Sequence, residues 1–232
     1  MANTNKQMNH INIGNRKVSE LCLGGGKMVD ISPEAGRALV QTAIECGINA
    51  FDAHHRYGNC ENILGTYPNK NDLFYMTKIS AYQRAAYEQI LGQSTKNIDG
   101  KIDLLWVSDL DDKRLYDHGI EIYDEIVWKY NTVGITTEDP RLAIRFIDTH
   151  PECKYLMLPI FKGCRQEMIE AAEYAQDMGA YVFAIKPFDD NRCFKAGHSV
   201  KDCLEFLKGK VDVVVFGTSN PEHIKEIVNI WE

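Results

Sequence analysis

An alternation of short apolar segments and amphipathic segments runs through the chain and constrains the fold more than any other feature of the sequence. The apolar segments are rich in β-branched and aromatic residues, which is typical of strands. The segments that follow them repeat apolar residues at helical spacing. The predicted strands lie at residues 20–25, 49–54, 73–79, 102–108, 132–136, 155–161, 181–188 and 211–219. The predicted helices lie at residues 32–47, 61–67, 85–98, 120–130, 140–150, 165–179, 200–210 and 221–232.

Eight strand–helix units predict a (β/α)8 TIM barrel that forms a single domain over residues 1–232. The strands lack strict polar alternation, as expected where helices cover one face of a sheet and side chains fill the other. The alternative is an open doubly wound sheet, but the segment GGGKMVD at 24–30 lacks the glycine spacing typical of that fold. Residues 10–18, with Gly14 and Asn15 at the turn, predict a hairpin that caps the barrel floor.

Composition and charge limit the partners of the protein. The chain has 232 residues, of which 44% are hydrophobic, and a net charge of −7 that disfavours nucleic acid and anionic membranes as main partners. It contains no apolar run of about 18 residues, and residues 1–10 do not resemble a secretion signal, so we expect a cytoplasmic protein. The seven cysteines form no CxxC pair, which indicates reduced thiols.

Polar residues at the carboxyl ends of the predicted strands are candidates for chemistry, because these ends meet at one mouth of a barrel. Asp52, Lys78, Ser108 and Lys186 all lie at such ends. A carboxylate and an ammonium on neighbouring strands can pair beneath a phenol, and we expect Lys78 to lower the pKa of Tyr57 so that it can protonate a carbonyl oxygen. Alternatively, Asp52 and Lys78 form a buried ion pair that only fixes the strand register.

The segment FDAHHRYGNCENILG at 51–65, together with the strand ending MTK and the later segments IDLLWV, VGIT and FGTSNPEHIKE, resembles the aldo-keto reductase superfamily over nearly the whole chain. The family pattern is a strand ending FDTA, a Tyr-Gly five residues after the Asp, a following Glu-x-x-Leu-Gly, and a Thr-Lys on the next strand. The matching residues are Asp52, Tyr57, Gly58, Glu61, Gly65, Thr77 and Lys78.

The resemblance implies a (β/α)8 barrel that binds NADP(H) across its mouth and reduces small aldehydes or ketones. It makes Tyr57 the general acid, assisted by Lys78 and Asp52. The histidine that ends the fourth strand in the family is replaced here by Ser108, whose hydroxyl is shorter and remains neutral at pH 7. An imidazole of the loop at 54–55 could act from another direction, although a solvated loop histidine is the more frequent case.

The residues that correspond to nicotinamide contacts in the family are partly changed. Thr136 and Thr137 stand where the family has Ser-Asn after the fifth strand. Leu158 replaces a glutamine, and Ile185 replaces the aromatic residue that stacks on the ring. Lys186, with the proline after it, matches a variant of the seventh strand found in iron–sulfur-associated relatives. Two hydrogen-bonding positions are therefore kept, and two contacts are lost.

The turn between the last strand and the last helix is a candidate phosphate site. Gly217, Thr218, Ser219 and Asn220 would present backbone N–H groups and hydroxyls to a phosphate at a helix N-terminus. The basic residue that meets the 2′-phosphate in the family corresponds to His223, so NADP(H) and NAD(H) both stay open as cofactors. The alternative interpretation of this turn is a simple helix cap.

Other functions are less well supported by the sequence. Zinc binding by Asp52, His54, His55 and Cys60 is disfavoured, because adjacent histidines on an extended chain point to opposite sides, and we predict no metal site. The acidic run at 108–112 is interpreted as a solvated loop. The main hypothesis is an oxidoreductase that acts on a small carbonyl compound. The alternatives are a non-redox lyase or isomerase of a biosynthetic pathway and a non-catalytic binding protein, and a homo-oligomer would be compatible with an open barrel mouth.

Overall fold

The strands predicted from the sequence close into a barrel in the computed structural model, which describes residues 8–67, 72–130 and 132–232. The strands are β1 His10–Ile13, β2 Arg16–Ser19, β3 Leu21–Gly24, β4 Ala50–Asp52, β5 Phe74–Ser80, β6 Leu104–Ser108, β7 Val133–Thr136, β8 Tyr155–Pro159, β9 Tyr181–Ile185 and β10 Val213–Phe216. Strands β3 to β10 pair in chain order, all parallel, and β10 pairs with β3. The (β/α)8 prediction is confirmed, and the open doubly wound sheet is wrong.

Helices surround the barrel, and most of them begin where the sequence predicts. The α-helices are α1 Pro33–Glu45, α2 Cys60–Gly65, α3 Tyr87–Asn97, α4 Lys113–Ile126, α5 Pro140–Thr149, α6 Gln166–Asp177, α7 Arg192–Lys195, α8 Val200–Leu207 and α9 Pro221–Trp231. Helix α4 begins earlier than the predicted residue 120, because the Asp112 side chain accepts a hydrogen bond from the Leu115 N–H and caps a polar first turn. The short helix α7, in the loop after β9, was not predicted.

Residues of the barrel strands alternate between the barrel interior and the surrounding helices. The interior is filled by side chains such as Ala50, Met76, Trp106 and Phe183. The rings of Trp106 and Phe183 meet edge to face with centroids 5.0 Å apart. Because the middle of the barrel is packed, the cavities next to these strands open at the two ends, and the carboxyl ends of the strands form the mouth.

A hairpin of β1 and β2 closes the other end of the barrel, as predicted. Its turn contains Gly14, and its side chains Ile13 and Val18 are buried in the interior cluster. The Asn49 side chain accepts from the Ser19 N–H at 2.8 Å and donates to a backbone carbonyl of β2, so it ties the hairpin to the barrel. A cavity of about 530 Å³ lies at this end as well, but the polar residues predicted to carry chemistry lie at the mouth.

Three further predictions can be compared with the described part of the chain. No helix within residues 8–67, 72–130 and 132–232 is long and apolar enough to cross a membrane. All seven cysteines are free thiols, as expected. Residues 1–7, which belong to the segment predicted to carry no secretion signal, lie outside the described residues.

Candidate active site

Asp52 and Lys78 form a buried ion pair at the barrel mouth. They continue the inward-pointing series of their strands, because Ala50 on β4 and Met76 on β5 also belong to the barrel interior. The Lys78 ammonium donates a hydrogen bond to the Asp52 carboxylate and lies 3.5 Å from the Ala53 carbonyl oxygen. The exposed fractions of the two side chains are only 8% and 5%. The pattern of the strands therefore brings both charges together in a place with little water.

Burial and mutual attraction act in opposite directions on this pair. Burial raises the pKa of Asp52, and the nearby ammonium offsets this only in part. Burial lowers the pKa of Lys78, but the attraction of Asp52 and of Tyr57 outweighs burial and raises the pKa above its usual value. Lys78 therefore keeps its proton at neutral pH.

Tyr57 lies in the loop after β4 with its ring beside this pair. A turn brings it there, in which the Tyr57 N–H donates to the His54 carbonyl at 2.8 Å. The Lys78 ammonium is 5.9 Å from the ring centroid. Burial raises the pKa of Tyr57, Lys78 lowers it by less, and Asp52 raises it further. Lys78 therefore acts in the predicted direction, but the prediction of a Tyr57 pKa close to neutrality is wrong, because burial outweighs the ammonium and the carboxylate partly cancels it. The phenol keeps its proton.

Several residues of the matching sequence pattern hold the loop in place rather than face the mouth. The buried Glu61 carboxylate accepts from the Thr77 hydroxyl at 2.7 Å and from the Asn97 amide at 3.0 Å. A Cβ atom at Gly65 would lie 2.0 Å from the Asn97 carbonyl oxygen, so only glycine allows this close approach. Gly58 has a φ of +55°, which favours glycine at the turn after Tyr57. These contacts fix α2, and with it the position of Tyr57.

The mouth contains two adjoining cavities, of about 340 Å³ and about 250 Å³, that share the walls formed by Tyr57, Lys78, Ile185 and Lys186. We name them the Gly217 lobe and the His54 lobe. The Gly217 lobe is also lined by Gly26, Lys27, Asp52, Phe188, Asn191 and Gly217, among others. The His54 lobe is also lined by His54, Arg56, Ser108, Thr136, Thr137 and Glu138, among others. The phenol and the ammonium therefore stand at the boundary between two binding spaces.

Ser108 lies in the wall of the His54 lobe, as its predicted place at the end of a mouth strand requires. It is buried, and its hydroxyl oxygen lies 3.3 Å from the Ile79 carbonyl and 3.3 Å from the Asp109 carboxylate. Both neighbours are acceptors, so they take up the single hydroxyl proton. Ser108 is therefore anchored to the wall and does not replace an imidazole donor.

His54 and His55 are arranged differently from the prediction. Their rings stack with centroids 4.2 Å apart, since the turn at Tyr57 breaks the extended backbone that would have separated them. The prediction that they point to opposite sides is wrong. Burial, together with the positive charges of His55, Lys78 and Arg56, lowers the pKa of His54 to about 2. In the part of the chain that the structure describes, no group of three or more His, Cys, Asp or Glu side chains could hold a metal ion.

Two ion pairs cross the rim of the His54 lobe. Arg56 lies 3.2 Å from the Asp109 carboxylate, and Lys186 lies 2.6 Å from the Glu138 carboxylate. Asp109 and Lys186 both have a left-handed backbone, with φ of 65° and 55°. Lys186 lies just after β9, at the junction of the two lobes, so the predicted cofactor residue reaches the mouth but is paired with an acid.

Thr136 and Thr137 are the predicted contacts of a nicotinamide ring, and Leu158 is a position at which the sequence predicts that such a contact is lost. Thr136 ends β7 and lines the His54 lobe. Thr137 lines it too, but its hydroxyl donates to the Leu110 carbonyl at 2.7 Å and holds the loop after β6. Leu158 points to the helices and is buried in the outer core, so it lines neither lobe. Ile185 points inward and is the apolar wall shared by both lobes.

The turn after β10 divides into residues that face a cavity and residues that cap a helix. Gly217 lines the Gly217 lobe, and together with Thr218 and His223 it lines a smaller neighbouring groove. The Asn220 side chain accepts from a backbone N–H in the first turn of α9 at 3.0 Å, so Asn220 is a helix cap. Ser219 and Asn220 are exposed and line neither lobe. The four predicted residues of this turn therefore differ: Gly217 and Thr218 face a cavity, and Ser219 and Asn220 do not.

Lys27 and Phe188 are among the mouth residues that the sequence analysis did not identify. Lys27 lies beside the turn after β10, since its Cγ atom is 3.3 Å from where a Cβ of Gly217 would stand. It lies in the short turn after β3, which ends at Gly24, so the strand-end criterion could have found it. Phe188 stacks on Phe194 with centroids 5.6 Å apart and lines both the Gly217 lobe and the groove beside it. The sequence predicts a strand that includes Phe188, whereas β9 ends at Ile185.

Known structures resemble this barrel over nearly its whole length. No protein-family model matches the chain, and no curated protein matches it. An aldo-keto reductase from Klebsiella pneumoniae, in complex with NADPH, has a TM-score of 0.78 and 14% identity, and the match covers 97% of this chain and 89% of that one. An aldo-keto reductase from Bacillus halodurans, in its holo form, has a TM-score of 0.77 and 17% identity, covering 97% and 91%.

A Pseudomonas aeruginosa protein described as an aldo-keto reductase has a TM-score of 0.75 and 20% identity, and the match covers 96% of this chain and 93% of that one. At identities this low the likeness concerns the course of the backbone. The chain therefore has the (β/α)8 barrel fold of the aldo-keto reductases.

Proposed function

We propose that this protein is an NAD(P)H-dependent oxidoreductase of the aldo-keto reductase type that reduces a small aldehyde or ketone. The observation that carries the proposal is the protonated Tyr57 phenol beside the buried Lys78–Asp52 pair, at the boundary of two cavities. One cavity can take a cofactor and the other a carbonyl compound. The likeness to reductases of the same fold, one of them in complex with NADPH, supports this assignment.

The residues around the Gly217 lobe suit a nicotinamide dinucleotide. Lys27 and Lys186 supply positive charge for phosphates, and Gly217 leaves the backbone before α9 uncovered. Phe188 offers an aromatic face. When bound, the cofactor supplies a hydride to the carbonyl carbon. These residues would hold it, with Thr218 and His223 in the adjoining groove.

The chain's own residues handle the proton of the reaction. Tyr57 donates its hydroxyl proton to the carbonyl oxygen as the carbon is reduced, so the product is an alcohol. The phenolate that remains is stabilised by the ammonium of Lys78, which is 5.9 Å from the ring centroid. Asp52 holds that ammonium in place. The raised pKa of Tyr57 keeps the donor protonated until the reaction needs it.

Cofactor titration followed by turnover tests the proposal. The purified protein is titrated with NADPH and NADH while nicotinamide fluorescence is followed, and oxidation is then measured with a panel of aldehydes and ketones. We expect micromolar binding and turnover in the wild type. Tyr57→Phe should bind the cofactor equally well and lose about 10²–10⁴-fold in kcat. Absence of binding at millimolar cofactor would exclude the reductase.

A second candidate function is a non-redox lyase or isomerase that uses the same Tyr57 and Lys78. The observation that favours it is the wall shared by the two lobes, where Ile185 offers an aliphatic surface and no aromatic ring to a nicotinamide. Such an enzyme would move protons next to a carbonyl group without a hydride. The same titration separates the two candidates, since the lyase would bind neither NADPH nor NADH.

A further inference from the structure

His54 occupies a fixed position in the wall of the His54 lobe. It is only 3% exposed, and its ring centroid is 5.2 Å from that of Tyr57. The stack with His55 covers the ring at 4.2 Å. An imidazole held on two sides in this way has little freedom to rotate. Its two nitrogen atoms therefore have separate, constant surroundings.

The hydrogen bond at Nδ1 assigns the tautomer of this ring. The Arg56 backbone N–H donates to Nδ1 at 2.9 Å, so Nδ1 carries the lone pair and Nε2 carries the proton of the neutral imidazole. The groups around the ring are His55, Lys78, Arg56 and Tyr57, and the first three disfavour a second proton. His54 therefore presents an Nε2–H donor without a net charge.

This donor has no acceptor among the described residues. The polar group next to Nε2 is the Arg56 guanidinium at 3.5 Å, which is itself only a donor and is directed to Asp109. Likewise, no described residue makes a hydrogen bond with the Tyr57 hydroxyl. A buried donor normally has a partner, so the His54 Nε2–H, next to the half-buried Tyr57 hydroxyl in the wall of the same lobe, indicates a place for a ligand acceptor.

We infer that His54 donates from Nε2 to the carbonyl oxygen of the substrate, beside the Tyr57 hydroxyl. The inference rests on the proposed reductase function of this site. A carbonyl oxygen has two lone pairs and can accept from both rings. Ser108 cannot take this part, because the acceptors beside it already take up its proton. Negative charge grows on the oxygen as the carbon is reduced, so a fixed neutral donor stabilises the transition state more than the ground state.

Two amide variants separate the proposed role from a role in folding the loop. His54→Asn keeps an acceptor near Nδ1 for the Arg56 N–H and removes the donor at Nε2. His54→Gln does the reverse, since its longer side chain places an N–H near Nε2. We expect His54→Asn to lose about 10²-fold in kcat, with little change in cofactor affinity. His54→Gln should retain most of the wild-type kcat while losing thermal stability.

The outcomes are distinct from those of the proposed function. If the wild type oxidises NAD(P)H with a carbonyl compound and His54→Asn is equally fast, the inference is wrong and the reductase stands. If His54→Gln falls as far as His54→Asn, an N–H near Nε2 is not what the reaction requires, and the inference is again wrong. Absence of any turnover in the wild type removes the proposed function itself.

A readout without cofactor or substrate tests the premise. Long-range ¹H–¹⁵N spectra of protein labelled in histidine should show His54 as the neutral Nε2–H tautomer from neutral pH down to about pH 5. His55→Asn serves to assign the signals of the two rings. A proton on Nδ1, or an imidazolium at pH 6, would overturn the inference even in an active enzyme.

Discussion

The two sides of the barrel mouth are built in different ways. On the side of β4 and β5, charged and polar groups are buried and paired, as in Asp52–Lys78 and Glu61–Thr77. On the side of β9 and β10, the polar residues are more exposed, and the turn there is stabilised mainly by bonds to its own backbone. The first side fixes the groups that would transfer a proton. The second can change its ligand contacts with little cost to the fold.

Removal of the Lys78 ammonium should have the largest effect on stability. Lys78→Met leaves Asp52 buried without its partner, which typically costs about 3–5 kcal/mol of unfolding free energy. The matched control is Lys186→Met on the other side of the mouth, where the ion pair with Glu138 is 39% and 56% exposed and should contribute less than about 1 kcal/mol. Urea unfolding measures both. Equal costs would show that the two sides do not differ as described.

The barrel itself was predictable because burial of both faces of the sheet leaves apolar strands, and because helix caps leave local signals. Ser32 and the following Pro33 mark the start of α1 in the sequence as they do in the structure. The start of α4 was not predictable from apolar spacing, because its first turn is polar and depends on the cap at Asp112. The short helix α7 was not predictable either. It follows Asp190 and Asn191, whose left-handed backbone cannot be inferred from apolar spacing.

The site was predictable only in part. Alternation along the strands and the loop pattern placed Asp52, Lys78 and Tyr57 together at the mouth. The sequence could not show how deeply Tyr57 is buried, and burial decides the direction of its pKa. It also could not show that His54 turns its ring against His55 and toward the mouth, because a single turn of the backbone decides this.

Lowering the pH should lower the unfolding free energy, because His54 on the β4–β5 side is buried in its neutral form. The folded pKa of about 2 lies below the ordinary 6.5, so the unfolded chain binds a proton as the pH falls below 6.5 while the folded chain does not. This stability is therefore present above pH 6.5 and is lost toward lower pH, with a slope that approaches about 1.4 kcal/mol per pH unit, so that about 2 kcal/mol is lost between pH 6.5 and about pH 4.5. Urea unfolding across this range measures the slope.

Two histidine variants sharpen this test. His54→Asn should remove the contribution of His54 to the acid slope and keep stability at neutral pH close to that of the wild type. Burial also lowers the pKa of His55, which adds to the slope in the same direction. His55→Asn should therefore reduce the slope only by its own share. An unchanged slope in His54→Asn would mean that the folded protein admits the proton.

Loss of the Thr77 hydroxyl should have a smaller effect. Thr77→Val keeps the shape of a fully buried side chain but takes one donor from the buried Glu61 carboxylate, which should cost about 1–3 kcal/mol. Ser219→Ala, at an exposed position of the opposite turn, is the control and should change stability by less than about 0.5 kcal/mol. Thermal unfolding distinguishes the two. A neutral Thr77→Val would mean that Asn97 alone holds Glu61.

The smallest effect is expected at His223, on the exposed side of the mouth. His223→Arg puts a permanent charge in the groove beside Thr218, where a 2′-phosphate of NADPH would be attracted to it. An exposed charge pair contributes at most about 1 kcal/mol, so NADPH affinity should rise by up to about fivefold. NADH lacks this phosphate, and its affinity should stay the same.

His223→Gln removes the imidazole without adding charge and should leave both affinities close to those of the wild type. Fluorescence titration of the wild type and both variants measures the dissociation constants, and an equal gain for NADH and NADPH would show that the added charge meets the shared pyrophosphate instead. In either case the unfolding free energy should barely change, because His223 is exposed and the barrel does not depend on its side chain.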